Sequence, residues 1–117
     1  MGKRTLKHSF STAVAGIVYA FFSERNMQIH VLAAMIAVIS GYILGIKRLE
    51  WGLLLITIFI VLIAEIINTA IEKTVDLVTL NYHPVAKLAK NLAAGAVLLS
   101  AVNAVIMAFV IFGPYLF

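Results

Sequence analysis

Residues 5–22, TLKHSFSTAVAGIVYAFF, carry apolar side chains at steps of three and four. Leu6, Phe10, Ala13, Val14, Ile17 and Phe21 fall on one face, while Lys7, His8, Ser11, Thr12 and Tyr19 fall mainly on the other. With Lys3 and Arg4 in front, the pattern predicts an amphipathic helix lying in a membrane interface. A polar break, SERNMQIH, follows, in which Ser23 is placed to cap the next helix. Ile29–Ile46 then runs for eighteen residues with no Asp, Glu, Lys or Arg and with His30 as its only histidine. A spanning helix needs about 20 apolar residues, so this is a first span. GIKRLEW is a short polar turn. Trp51–Ile71 is a second span of 21 residues, with one carboxylate, Glu65, near its end. Residues 72–90 are polar, and Pro84 in NYHP marks a helix boundary near Tyr82–His83. Leu92–Phe117 contains no charge over 26 residues and supplies a third span, at about 92–113.

The expected fold is therefore an all-α membrane protein, with a surface helix at about 5–22 and spans at about 29–46, 51–71 and 92–113. Composition agrees. Of the 117 residues, 63% are hydrophobic and 12% charged, with a mean hydropathy of +1.07. A soluble domain is roughly 45–50% apolar and about 25% charged. The chain is long enough for one domain at most. It has no cysteine, which excludes disulfides and thiolate metal sites. The start, MGKRTLKHSF, has the charge of a signal n-region. The stretch behind it is amphipathic and offers no small-residue cleavage site, so it reads as retained.

A net charge of +4 raises the possibility of nucleic acid. The basic residues instead flank the apolar runs, which suits lipid headgroups or a phosphate-bearing ligand. Lys3, Arg4, Lys7, Arg25, Lys73, Lys87 and Lys90 fall on one side of the predicted topology, and only Lys47 and Arg48 on the other. This places the N-terminus and residues 72–90 in the cytoplasm, with Trp51 at the outer interface. Three spans make a thin bundle for burying several polar groups, so a homo-oligomer is expected. GYILG (41–45) has the spacing of small residues that lets helices approach closely.

Glu65, Asn68, Glu72 and Asp76 are three, four and four residues apart, which aligns them along one helix face. Glu65 lies about five residues from the inner end of its span, roughly 7–8 Å at the helical rise. A carboxylate there is costly and marks a functional site. Glu24 maps to the same cytoplasmic membrane edge. Carboxylates so crowded repel one another unless a cation joins them. With hard oxygen donors only, magnesium is the natural ion, held by one or two carboxylates and substrate phosphates. Lys90 reaches the same level from the third span, where a lysine can bind phosphate as a point charge. Magnesium, phosphate and an interfacial site suggest phosphoryl transfer to a lipid. No G-x-x-x-x-G-K-[ST], H-R-D or D-F-G motif is present. His30 and His83 read as structural.

ERNMQIH (24–30), EIINTAIEKTVD (65–76) and HPVAKLAKNLAAGAVLL (83–99) resemble the prokaryotic diacylglycerol kinase/undecaprenol kinase family. The resemblance covers nearly the whole chain and leans toward the Gram-positive undecaprenol kinase branch. It implies small trimeric kinases of the bacterial inner membrane, with a site shared between protomers and ATP as co-substrate. On this resemblance Glu24 and Glu72 match the family's magnesium-binding glutamates, and Glu65 matches the general base for the lipid hydroxyl. Asn68 matches the asparagine beside that base, Lys90 a lysine on the ATP phosphates, and Asp76 an acidic position near the nucleotide. Asn91 departs from the pattern, because the family usually has aspartate after "AK". Two readings of other classes stand beside the lipid kinase: a small ion or proton transporter using Glu65 and Asn68, and a structural membrane subunit. Within the kinase reading, diacylglycerol is the alternative acceptor to undecaprenol.

Overall fold

The computed structural model describes residues 5–117, all of it helix and short connections. Lys3 and Arg4 lie outside the described residues. Helix α1 spans Leu6–Ser23, α2 Arg25–Leu44, α3 Arg48–Val78 and α4 Pro84–Leu116. The last three are each long and apolar enough to cross a membrane.

Thr5 starts α1, its hydroxyl accepting the backbone N–H of His8 at 3.1 Å. The expected polar break is a single residue wide. Glu24 alone is extended, with φ −107° and ψ 116°, between two helices. Gln28 makes this sharp corner stable. Its side-chain amide donates to the carbonyls of Phe21 and Phe22 at 3.2 and 3.3 Å, two acceptors that the end of α1 leaves open. Ser23 is the last residue of α1, not the cap of α2. Glu24 holds the N-cap position but makes no side-chain cap bond, so its carboxylate stays available.

Gly45 ends α2 in the left-handed conformation, φ +66°, and the Ile46 N–H returns to the Gly41 carbonyl at 3.1 Å. Gly41 serves this same turn. A Cβ on it would lie 3.0 Å from both Ile46 Cδ1 and Trp51 Cη2. Trp51 therefore packs on its own chain as well as marking a helix end. It joins a small core of Ile46, Leu54 and Ile111, reinforced by Tyr115. Glu50 accepts the Lys47 N–H at 2.8 Å and the Tyr115 hydroxyl, which fastens the end of α4 to the start of α3.

Helices α3 and α4 pack along their length, and α2 lies mainly on α3. α1 touches α2 and α3, with Lys73 Nζ 5.6 Å from the centre of the Tyr19 ring. The 33 residues of α4 amount to about 50 Å of helix, which is the longest dimension of a 51 × 39 × 21 Å slab. Its radius of gyration, 17.3 Å, exceeds the roughly 13 Å of a compact chain of this length. Large apolar side chains such as Phe10, Ile36, Phe59 and Phe109 cover the outside. That surface suits lipid or further protein and not water.

Candidate active site at the membrane edge

The helix that carries Glu65 does not stop with the apolar run. Its 31 residues extend about 46 Å, well beyond the ~30 Å hydrocarbon core. Glu65, Asn68, Glu72 and Asp76 thus share one continuous helix that runs on past the apolar stretch. Glu65 is 1% exposed and Asn68 6%, whereas Glu72 is half-buried and Asp76 exposed. The row runs from a dry interior into water.

The buried end is under-satisfied. Asn68 Nδ2 donates to Glu72 Oε1 at 3.3 Å, leaving Asn68 Oδ1 and Glu65 Oε2 buried without a hydrogen-bond partner. Thr69 Oγ1 donates to the Glu65 carbonyl at 3.0 Å, so it ties the backbone and leaves the carboxylate free. Glu72 and Glu24 are both close enough for their charges to bear on Glu65. A buried, unpartnered acceptor costs about 1–3 kcal/mol. Such oxygens persist where something else completes them.

Lys90 Nζ donates to Asp76 Oδ1 at 2.6 Å across the α3–α4 junction. Asp76, Lys87, Lys90 and Asn91 line an open cleft of about 280 Å³ there, with Tyr82 and His83 also in its lining. His83 is structural, as expected: its Nδ1 accepts the Val85 N–H at 3.1 Å and caps α4, with Pro84 in the first turn.

An apolar cavity of about 320 Å³ lies among α2, α3 and α4, lined on α3 by Leu54, Thr57, Ile58 and Val61, which precede the row. A second, of about 610 Å³, continues it to Leu116 and Phe117. Ala33, Ala37, Val105, Ala108 and Phe112 line both. The alanines leave this space unfilled because their side chains are short. The inner end is His30, with Nε2 3.7 Å from Glu65 Oε2. Sequence reasoning took His30 as structural; the structure sets it against the buried carboxylate. Its six-residue separation from Glu24 held no warning, since the contact crosses from α2 to α3.

The donor set suits a hard divalent cation. Among the described residues no three His, Asp or Glu side chains converge as ligands. Glu24 and Glu72 would hold the ion together with a ligand's phosphate oxygens, in the manner of magnesium.

Residues 11–112 match the family described as prokaryotic diacylglycerol kinase. The chain belongs to that family of lipid kinases. Among its relatives, an undecaprenol kinase of Bacillus subtilis is 43% identical over 92% of this chain and 88% of its own length. A diacylglycerol kinase of Synechocystis is 43% identical over 85% of this chain, which spans only 57% of that relative. The Escherichia coli K12 diacylglycerol kinase is 32% identical over 78% of the chain and 75% of its own length.

Proposed function

We propose that the protein transfers the γ-phosphoryl group of ATP directly to the hydroxyl of a membrane lipid at the cytoplasmic face of the inner membrane, with undecaprenol as acceptor. One observation carries the reading: Glu65 is buried with an unpartnered Oε2, 3.7 Å from His30, which lines an apolar crevice, while the same helix runs on to Asp76 in the open cleft. Phosphoryl transfer needs little covalent chemistry from the protein; it needs positioning and charge compensation. The crevice keeps the hydrocarbon tail in an apolar setting while the nucleotide enters from water.

In this reading Glu65 accepts the proton of the alcohol as its oxygen attacks the γ-phosphorus. Asn68 sits between Glu65 and Glu72 and orients both. Lys90, steadied by Asp76, moves to the phosphates of ATP, and Asn91 borders the nucleotide. Glu24 and Glu72 hold Mg²⁺ against the phosphates, and the bound ion offsets the charge that develops there. Surface helix α1 lies on the bilayer with Leu6, Phe10 and Val14 turned to lipid; these are exposed within the single chain. A homotrimer covers the remaining apolar faces, with its sites shared between protomers.

The preference for undecaprenol follows the sequence resemblance and the similarity to the Bacillus enzyme. Diacylglycerol is the second reading, and the Synechocystis relative favours it to the same degree. Parallel assays with γ-labelled ATP and Mg²⁺, presenting each lipid in mixed micelles, decide between them. Preferential labelling of undecaprenol supports the first assignment and preferential labelling of diacylglycerol the second. Labelling of neither returns the ion-transporter reading.

A further inference from the structure

His30 Nε2 and Glu65 Oε2 face each other from α2 and α3. At 3.7 Å, Nε2 and Oε2 stand too far apart for a good direct hydrogen bond. One oxygen atom between them, displaced to the side, reaches both at ordinary hydrogen-bond length. The carboxylate oxygen has no other partner. His30 also forms the inner end of the apolar cavity, whose other polar member, Thr57, spends its hydroxyl on the Leu53 carbonyl at 2.7 Å. The side chains are 19% and 2% exposed, so water does not compete freely at this point.

We propose that His30 is a further substrate-binding residue, which holds the acceptor hydroxyl against Glu65. The proposal rests on the lipid kinase reading and deepens it. The imidazole carries its proton on Nε2 and donates it to a lone pair of the alcohol oxygen. The alcohol's own proton points to Glu65 Oε2. As the O–H bond breaks, that proton passes to Glu65. The oxygen forms its bond to the γ-phosphorus, the bond from phosphorus to the bridging oxygen breaks, and ADP leaves with that electron pair. His30 keeps its proton throughout. It fixes where the hydroxyl sits, while Glu65 removes the proton.

The test compares His30→Gln with His30→Asn in the full chain in mixed micelles. Glutamine carries an amide N–H about as far from the backbone as Nε2; asparagine falls short. KM and kcat are measured separately for the lipid alcohol and for ATP. His30→Asn is expected to lose about tenfold in kcat/KM for the alcohol, the worth of one desolvated hydrogen bond, with KM for ATP unchanged. His30→Gln should recover most of that loss. Equal activity of the two variants, or a KM for ATP that moves in step, would overturn the proposal. Should His30→Asn fail to fold, His30→Phe keeps the ring, removes the donor and is held to the same comparison. A wild-type chain that phosphorylates no lipid alcohol would remove the kinase reading itself, and this proposal with it.

Discussion

Glu65→Gln should separate stability from activity. Glutamine matches glutamate in shape, so the packing of a residue 1% exposed is kept. What changes is the buried carboxylate, whose Oε2 has no hydrogen-bond partner and lies 3.7 Å from His30 Nε2. An unsatisfied buried acceptor costs about 1–3 kcal/mol, more when charged. Replacing it by an amide that can bond to His30 should return an amount in that range. Like-charge repulsion from Glu72 and Glu24 falls away as well. The variant is therefore expected to be at least as stable as wild type. Turnover should fall, because general-base catalysis supplies about 10²–10⁴-fold, or roughly 2.7–5.4 kcal/mol of barrier. Thermal unfolding in micelles can be followed by the fluorescence of Trp51, the only tryptophan, beside γ-phosphoryl transfer at saturating ATP and lipid. Turnover within tenfold of wild type would refute the base assignment. Stability and activity lost together would show instead that Glu65 is a structural residue.

Three further outcomes are expected. Glu72→Gln should abolish Mg²⁺-dependent turnover while the oligomer survives in size-exclusion chromatography, because this carboxylate is held by Asn68 and contributes nothing to the apolar core. Asn91→Asp should raise kcat/KM for MgATP several-fold by restoring a carboxylate to the cleft beside Lys87 and Lys90, read from initial rates over a range of ATP. Gly41→Val should destabilise by about 1–3 kcal/mol through overpacking, since even a Cβ meets Trp51 and Ile46 at 3.0 Å. Its surviving fraction should turn over lipid at the normal rate, because the site lies at the other end of the bundle.

The three spans were legible because lipid imposes a long apolar run and little else does. Their ends were less so. α3 continues through Glu72, Lys73 and Asp76 because helix hydrogen bonding does not stop where hydropathy does, and α4 starts at Pro84, well before the charge-free run. The acidic row was legible because all four residues share one helix, where spacing alone fixes the face. The corner at Glu24 was not, since it depends on Gln28 reaching back to α1. His30 escaped for the same reason: a contact between α2 and α3 leaves no period in the sequence. GYILG reads as a helix–helix motif, yet Gly41 accommodates Trp51 and Gly45 supplies the left-handed turn. Membership in the family was legible as a resemblance carried by ERNMQIH, EIINTAIEKTVD and HPVAKLAKNLAAGAVLL, which the match over residues 11–112 bears out.

The central claim is direct transfer from ATP to a membrane alcohol, and product stoichiometry tests it most directly. ADP and organic-soluble labelled phosphate should be measured in the same micelles, with Mg²⁺ and undecaprenol or diacylglycerol present. The account predicts that they form mole for mole with one of the two lipids, and that neither forms when Mg²⁺ is chelated. ADP accompanied only by free phosphate, or no ADP with either lipid, would contradict it.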